Sequence, residues 1–391
     1  MQRETFTAKE KETIRKNVPA IVAQVKNNLC RFKGNPVPVL LAGGGYDGIW
    51  LEHNQDNLFL ADLAPESAWA SQELFMDHQR SDGLLPFMFR RGEGPSYWHL
   101  QTVWPFAACA YAIARKLDKG ISELRRIYDC GSRYDAWLER NRNRLQTGLV
   151  ELYCEWDTGH DNDPRVTDGG IPHTCPGDDA ANMPDLPVMP ILSADLSAMR
   201  YGGCIALAEL AARLNMPEKE RSWRNKAAEI RTAMRQLLYD ADDEFYYDRD
   251  PTGLRKYRSE HITRLFLNRV TDQQEFDRIY QRYFTSDQEF ATPFPFPSMS
   301  VSDPHFVPGA PANCWGCNSQ ALTALRAILW MEHYGKREEL AALLSCWLRA
   351  FLDSGVFPQE LDPFTGAPVG TKDDYSPALL LYLAAARFCL T

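Results

Sequence analysis

The sequence predicts an all-α protein built as a toroid of helical hairpins. Apolar residues recur at helical spacing through eleven or twelve segments, and strand-like alternation is scarce. Strands never alternate with helices, which removes Rossmann and TIM-type folds. Short helix-to-helix turns alternate with long loops rich in Trp, Pro, Gly and acid. A ring of antiparallel hairpins gathers such loops at one end, where they can line a cleft.

The elements follow in order. Residues 8–32 carry Ile14, Val18, Ile21, Val22, Val25 and Leu29 on one face, the mark of an amphipathic helix. Residues 34–46, with Pro36, Pro38 and the triplet Gly43-Gly44-Gly45, are loop. No Lys-Ser/Thr follows the triplet, so it is not a phosphate loop. Helices are expected at 57–79, 101–117 and 121–145, then a long Pro/Gly-rich loop at 163–190. Loops of that length inside a compact domain are usually functional. Helices resume at 193–214 and 217–238, the latter opened by Pro217-Glu218-Lys219-Glu220. A short hairpin fits 244–258 around Asp250-Pro251-Thr252-Gly253. The remaining helices are 259–268, 272–284, 317–334, 336–353 and 374–389, with a proline- and aromatic-rich loop at 285–315.

No composition shift splits the 391 residues. The chain reads as one catalytic domain over 1–391, with 1–49 as an N-terminal helix and loop. It is 45% hydrophobic and 24% charged, ordinary for a soluble domain. A net charge of −9 without a Lys/Arg block argues against nucleic acid or anionic membrane as main partner and leaves room for a small neutral one. The N-terminus lacks an apolar signal region and no run reaches membrane-spanning length, so the expected location is cytoplasmic. The ten scattered cysteines fit reduced core thiols. Cys314 and Cys317 form one Cys-x-x-Cys without a second pair, better read as small residues in a turn than as a metal site.

Chemistry concentrates in Glu155 to Arg165, where Asp157, Asp161 and Asp163 fall within seven residues. Crowded carboxylates repel, which raises the pKa of at least one of them, and a carboxyl still protonated near neutral pH can serve as a general acid. The set resembles a calcium loop only loosely, lacking its glycine and its terminal glutamate. There is no His-x-x-x-His pair and no Gly-x-Ser-x-Gly element. A second carboxylate is available at Glu360, though spacing alone favours a solvated loop glutamate. Within Glu52-His53-Asn54-Gln55-Asp56-Asn57, Asp56 reads as a helix N-cap or as an acceptor for sugar hydroxyls. Trp50, Tyr97, Trp98, Trp104, Trp156, Phe294, Phe296 and Trp315 fall at loops or helix starts, where rings can stack on sugar faces.

Four segments in sequence order resemble the inverting α-glycosidases of glycoside hydrolase family 63 and the related trehalases. Residues 157–165 resemble Glu-Ser-Gly-(Trp/Met)-Asp-Asn-Ser-Pro-Arg. Asp56 to Ala61 with His78 to Pro86 resembles the Trp-Asp-Ser-Phe-Phe helix and the loop after it. Phe296 to Pro304 resembles Pro-Ser-Val-Ser-x-Asp-Pro, and Glu360 to Gly366 resembles Glu-x-Tyr-x-Pro-x-Thr-Gly. The resemblance implies an (α/α)6 toroid and an inverting, exo-acting α-glycosidase acting on a short α-glucoside or α-mannoside. It implies Asp161 as general acid, Glu360 as general base and no metal or organic cofactor. It places Asp56 on the sugar and Arg165 close to the acid. Trp50, Trp98, Gln101, Trp156, His160 and Trp315 are the further substrate contacts expected.

The chain departs from that pattern at Ala310-Pro311-Ala312-Asn313-Cys314-Trp315, where Trp-Arg-Gly-Pro-(Val/Ile)-Trp is expected and only the last Trp is kept. Asp157, Asp163 and Gln55 also replace the pattern's Glu, Ser and Trp. Two rival readings follow: a sugar isomerase or epimerase using His160 or His173, and a non-catalytic carbohydrate-binding protein with an eroded site.

Overall fold

The computed structural model describes residues 4–32, 34–370 and 373–390. Thirteen α-helices appear among them: α1 (Ala8–Asn27), α2 (Asp56–Leu60), α3 (Pro65–Asp77), α4 (Phe106–Lys116), α5 (Ile121–Asn141), α6 (Pro164–Thr167), α7 (Ala194–Arg213), α8 (Pro217–Leu237), α9 (Ile262–Leu267), α10 (Gln273–Tyr283), α11 (Ala321–His333), α12 (Arg337–Ser354) and α13 (Ser376–Leu390). Six of them close a ring in chain order. Helix α2 packs on α4, α4 on α7, α7 on α9, α9 on α11, α11 on α13, and α13 returns to α2. The other long helices form an outer layer. Helix α1 lies on α13, α3 on α2 and α4, α5 on α4 and α7, α8 on α7, and α12 on α11 and α13. Helix α10 reaches α9 through the edge-on rings of Phe276 and Phe266. This is the expected (α/α)6 toroid.

Burial separates the layers as sequence does. Inner helix α13 buries every residue from Ser376 to Leu383, because neighbours surround it. Outer helix α8 buries only Ala227, Ile230 and Met234, one stripe at helical spacing.

The loops are as unequal as the layers. Turns from an inner helix to the next outer one take three to five residues. The returns from outer to inner run over 28–55, 78–105, 142–193, 238–261, 284–320 and 355–375. All six long loops therefore meet at the N-terminal ends of the inner helices. Short antiparallel strands tie them in pairs. Gly48–Trp50 of the first loop joins Met88–Arg90 of the second. Ile191–Leu192 of the third joins Asp248–Asp250 of the fourth through Leu192 and Arg249. Ser319–Gln320 of the fifth joins Glu360–Leu361 of the sixth.

Several expected boundaries shift. The helix expected at 57–79 breaks at Ala64 (φ −148°, ψ 73°) before Pro65, since proline disfavours a helical residue ahead of it. The break is the inner-to-outer turn between α2 and α3. The first helix stops at Asn27, and Leu29–Cys30 pairs with Val39–Leu40. The helix expected from 101 starts after Pro105, and that expected from 317 starts after the Ser319–Gln320 strand. The loop 163–190 holds the short helix α6. The expected hairpin is present, with Asp248–Asp250 paired to Gly253–Arg255.

Candidate active site

Five of the six long loops line one cavity of about 250 Å³. That is below the roughly 300–1,000 Å³ of drug-sized pockets and suits one sugar ring with a small substituent. The first loop contributes Tyr46, Trp50, Glu52 and His53, and the second Phe87, Met88, Arg90, Trp98, His99 and Gln101. Trp156, Gly159 and Asp161 come from the third, Asn313 and Trp315 from the fifth, and Gln359 and Tyr375 from the sixth. Leu322 of α11 completes the wall.

Asp161 is placed by local backbone chemistry. Gly159 and Asn162 take the left-handed conformation (φ 69° and 58°), which glycine and asparagine tolerate best. The turn is pinned to the fifth loop, with Trp315 N donating to Asp161 O at 2.9 Å and Asn162 Nδ2 to Asn313 O at 2.7 Å. Asn313 Nδ2 donates to Asp161 Oδ2 at 2.7 Å. Burial pushes the Asp161 carboxyl up to about 8, and Glu52, Glu155 and Glu360 add to the effect while the Asn313 bond opposes it. Its two acidic neighbours in sequence are not the cause.

The three aspartates point to different places. Asp157 is fully buried, yet Arg142 at 2.9 Å and the amides of Leu100 and Tyr153 hold it below the usual carboxylate range against the opposing effect of burial. Asp163, whose role sequence leaves unassigned, caps α6 by accepting from Arg165 N at 2.9 Å, and burial pushes it up to about 8. No calcium-like cluster of these three exists. Cys154, Asp157 and Cys175 do lie together, but the Asp157 oxygens are already taken by Arg142 and backbone amides. Cys314 and Cys317 are free thiols that pack with Ala310 and Phe306.

Of the residues expected at the site, Asp161, Trp50, Trp98, Gln101, Trp156 and Trp315 line the cavity. Asp56, His160, Arg165 and Glu360 do not. Asp56 is the first residue of α2 rather than its cap, is fully buried behind the wall, accepts from Gln55 at 3.2 Å, and is pushed up to about 8 by burial. His160 lies under Trp315 with the rings stacked at 4.7 Å, its Nε2 2.7 Å from Glu260. Burial, then Arg264 and Arg165, hold it neutral. Arg165 bridges Asp195 and Asp248 at 3.0 Å each in a buried ion network that Arg264 extends. The network fixes the floor under Trp315, where a buried pair without its partner would be strongly destabilising. Of the other aromatic candidates, Phe296 packs on Phe284 and Trp330, and Tyr97 donates to His78 O.

Glu360 misses the cavity by one residue. Gln359 immediately precedes the strand Glu360–Leu361. Gln359 lines the cavity and Glu360 does not; Glu360 Oε2 accepts from Asn318 at 2.7 Å. Burial pushes Glu360 up to about 7. The pattern quoted above has its acid four places before the proline, and four places before Pro363 is Gln359. Anchoring the segment on its first acidic residue hid that offset.

Sequence reasoning also passed over Glu52, one turn ahead of Asp56. Its Oε1 accepts from Gln101 at 3.2 Å, Arg326 lies 3.6 Å away, and its Oε2 rests against Gly159. Burial raises its pKa, opposed first by Arg326. Its nearness to Trp50 in the acidic patch was the available signal. Tyr46 Oη donates to Gln359 Oε1 at 2.8 Å, Gln359 Nε2 to Asn313 Oδ1 at 3.0 Å, and Asn313 to Asp161. Because Asp161 Oδ2 accepts at the end of this rail, Oδ1 is the oxygen left to carry the acid proton.

Residues 58–376 match the family described as the mannosylglycerate hydrolase MGH1-like glycoside hydrolase domain. Among solved structures, the mannosylglycerate hydrolase of Thermus thermophilus with Tris and D-glycerate aligns with a TM-score of 0.74 at 18% identity, over 95% of this chain and 100% of that one. The same enzyme with glucose gives 0.72 at 18% identity, over 94% and 99%. The neutral trehalase of Saccharomyces cerevisiae gives 0.68 at 13% identity, over 94% and 80%. A protein of Borreliella burgdorferi described as uncharacterized is 26% identical over 119 residues, and the match spans 29% of this chain and 24% of that protein.

Proposed function

The chain belongs to the mannosylglycerate hydrolase MGH1-like glycoside hydrolase family, and from that premise we propose that it is an exo-acting α-glycosidase that cleaves a short α-glucoside or α-mannoside with inversion. The observation that carries the proposal is the state of Asp161. It is a cavity-wall carboxyl with one oxygen fixed by Asn313, and burial raises it to about 8. A carboxyl so held can protonate a leaving glycosidic oxygen.

Trp50, Trp98, Trp156 and Trp315 offer ring faces to the sugar, and Glu52 with Gln101 offers hydroxyl partners. The small cavity favours removal of one terminal sugar. Arg90 in the wall suits an acidic aglycone, and the related Thermus structures were solved with glucose and with D-glycerate. Glu360 does not fit the base's role in this arrangement, because its carboxylate is bonded to Asn318 and does not line the cavity.

The isomerase reading loses its motivation. His160 is sealed under Trp315, and His173 stacks on the far side of Trp156 outside the cavity wall. The wall histidines His53 and His99 are held neutral by burial, at about 3 and about 4.

The test is a panel of α-linked gluco- and mannosides, with product anomers followed by NMR. Inverted product from at least one member, lost by about 10³-fold in Asp161→Asn, is the expected result. Retained product, or wild-type turnover in Asp161→Asn, contradicts it.

A further inference from the structure

The polar rail along the cavity ends in a carboxyl at Asp161 and is otherwise amide and phenol. Tyr46, Gln359 and Asn313 all line the wall, whereas Glu360, the carboxylate next to Gln359 in sequence, does not and is bonded to Asn318. The position just ahead of the Glu360–Leu361 strand holds Gln359, whose two amide atoms are bonded to Tyr46 and Asn313. Its Oε1 can accept a further hydrogen bond from a water but cannot take that water's proton. Among the described residues, the wall's other carboxylate is Glu52. It is engaged by Gln101, lies beside Arg326 and rests on Gly159.

We infer that Gln359 stands where the attacking water is oriented, so that this site protonates the leaving group but positions its water with an amide instead of a base. The inference rests on the glycosidase reading above and names what limits it.

The chemistry makes the consequence specific. Asp161 gives its proton to the glycosidic oxygen as the bond from C1 breaks. Water forming the new C1–O bond must then lose a proton that Gln359 cannot hold, and that proton has to pass to bulk water. An anion such as azide needs no deprotonation. Its terminal nitrogen bonds C1 directly, giving the free aglycone alcohol and a glycosyl azide of inverted configuration, and Asp161 regains its proton from solvent.

The experiment follows cleavage of one accepted glycoside by the wild-type chain with and without sodium azide, beside Gln359→Glu and Glu360→Gln. The expected result is azide acceleration with inverted glycosyl azide as product in the wild type. Gln359→Glu should turn over at least about tenfold faster in water and lose the azide effect, with Glu360→Gln losing less than tenfold. A wild type that makes no glycosyl azide, with Glu360→Gln more than a hundredfold slower at unchanged melting temperature, overturns the inference and restores Glu360 as base. The wild-type azide arm stands even if Gln359→Glu fails to fold. If Asp161→Asn still abolishes turnover when the azide arm fails, only this inference falls and the glycosidase reading stands.

Discussion

The third loop and the sixth loop each bring an acidic residue to the cavity end of the toroid, and only one of them arrives. Asp161 is delivered through a turn whose φ angles, backbone bonds and amide partner all agree on one direction. Glu360 is delivered on a strand, one position past the residue that lines the cavity. A turn built from Gly159, Asn162 and a capped Pro164 fixes one aim. In the sixth loop a single position of offset decides, and that offset is invisible until an anchor such as Pro363 is counted from.

The comparison can be broken first through the support of the acid. Arg142→Met strips the partner from the fully buried Asp157 that ties the third loop to α5. Loss of about 3–5 kcal/mol in chemical denaturation is expected. Little change would show that the third loop is held by other means.

Gly159→Ala probes the acid's aim directly. The new Cβ would fall 2.2 Å from Glu52 Oε2 at a φ of 69°. About a tenfold loss of kcat/KM is expected, with about 1–2 kcal/mol of strain; wild-type kinetics would mean that the acid's turn tolerates displacement.

The smallest effect sharpens the proton's place. A general acid must be protonated, so kcat/KM should fall as pH rises through about 8, the value to which burial lifts Asp161. Asn313 donates to the charged form and holds that value down. Asn313→Ala should therefore move the alkaline limb upward in a pH–rate profile. A downward shift would place the proton elsewhere.

Much of this architecture was legible because helical period and loop length are local signals. Long apolar runs such as Leu379 to Ala386 mark the inner layer, and single stripes such as Ala227, Ile230 and Met234 mark the outer one. Four of the eight aromatic candidates reached the cavity. The acid was legible too, for a partly mistaken reason. Burial with Glu52, Glu155 and Glu360 raises Asp161, whereas Asp157 is neutralised by Arg142, which is fifteen residues away and carried no mark. Glu52 and Gln359 were hidden because each lies close to a more familiar acid, Asp56 and Glu360, and which neighbour faces inward is settled by packing.

The most direct test of the account is the side-by-side turnover of Asp161→Asn and Glu360→Gln on one cleaved glycoside. The account predicts about a 10³-fold loss in the first and less than a tenfold loss in the second. Equal and large losses in both, with folding intact, would contradict it.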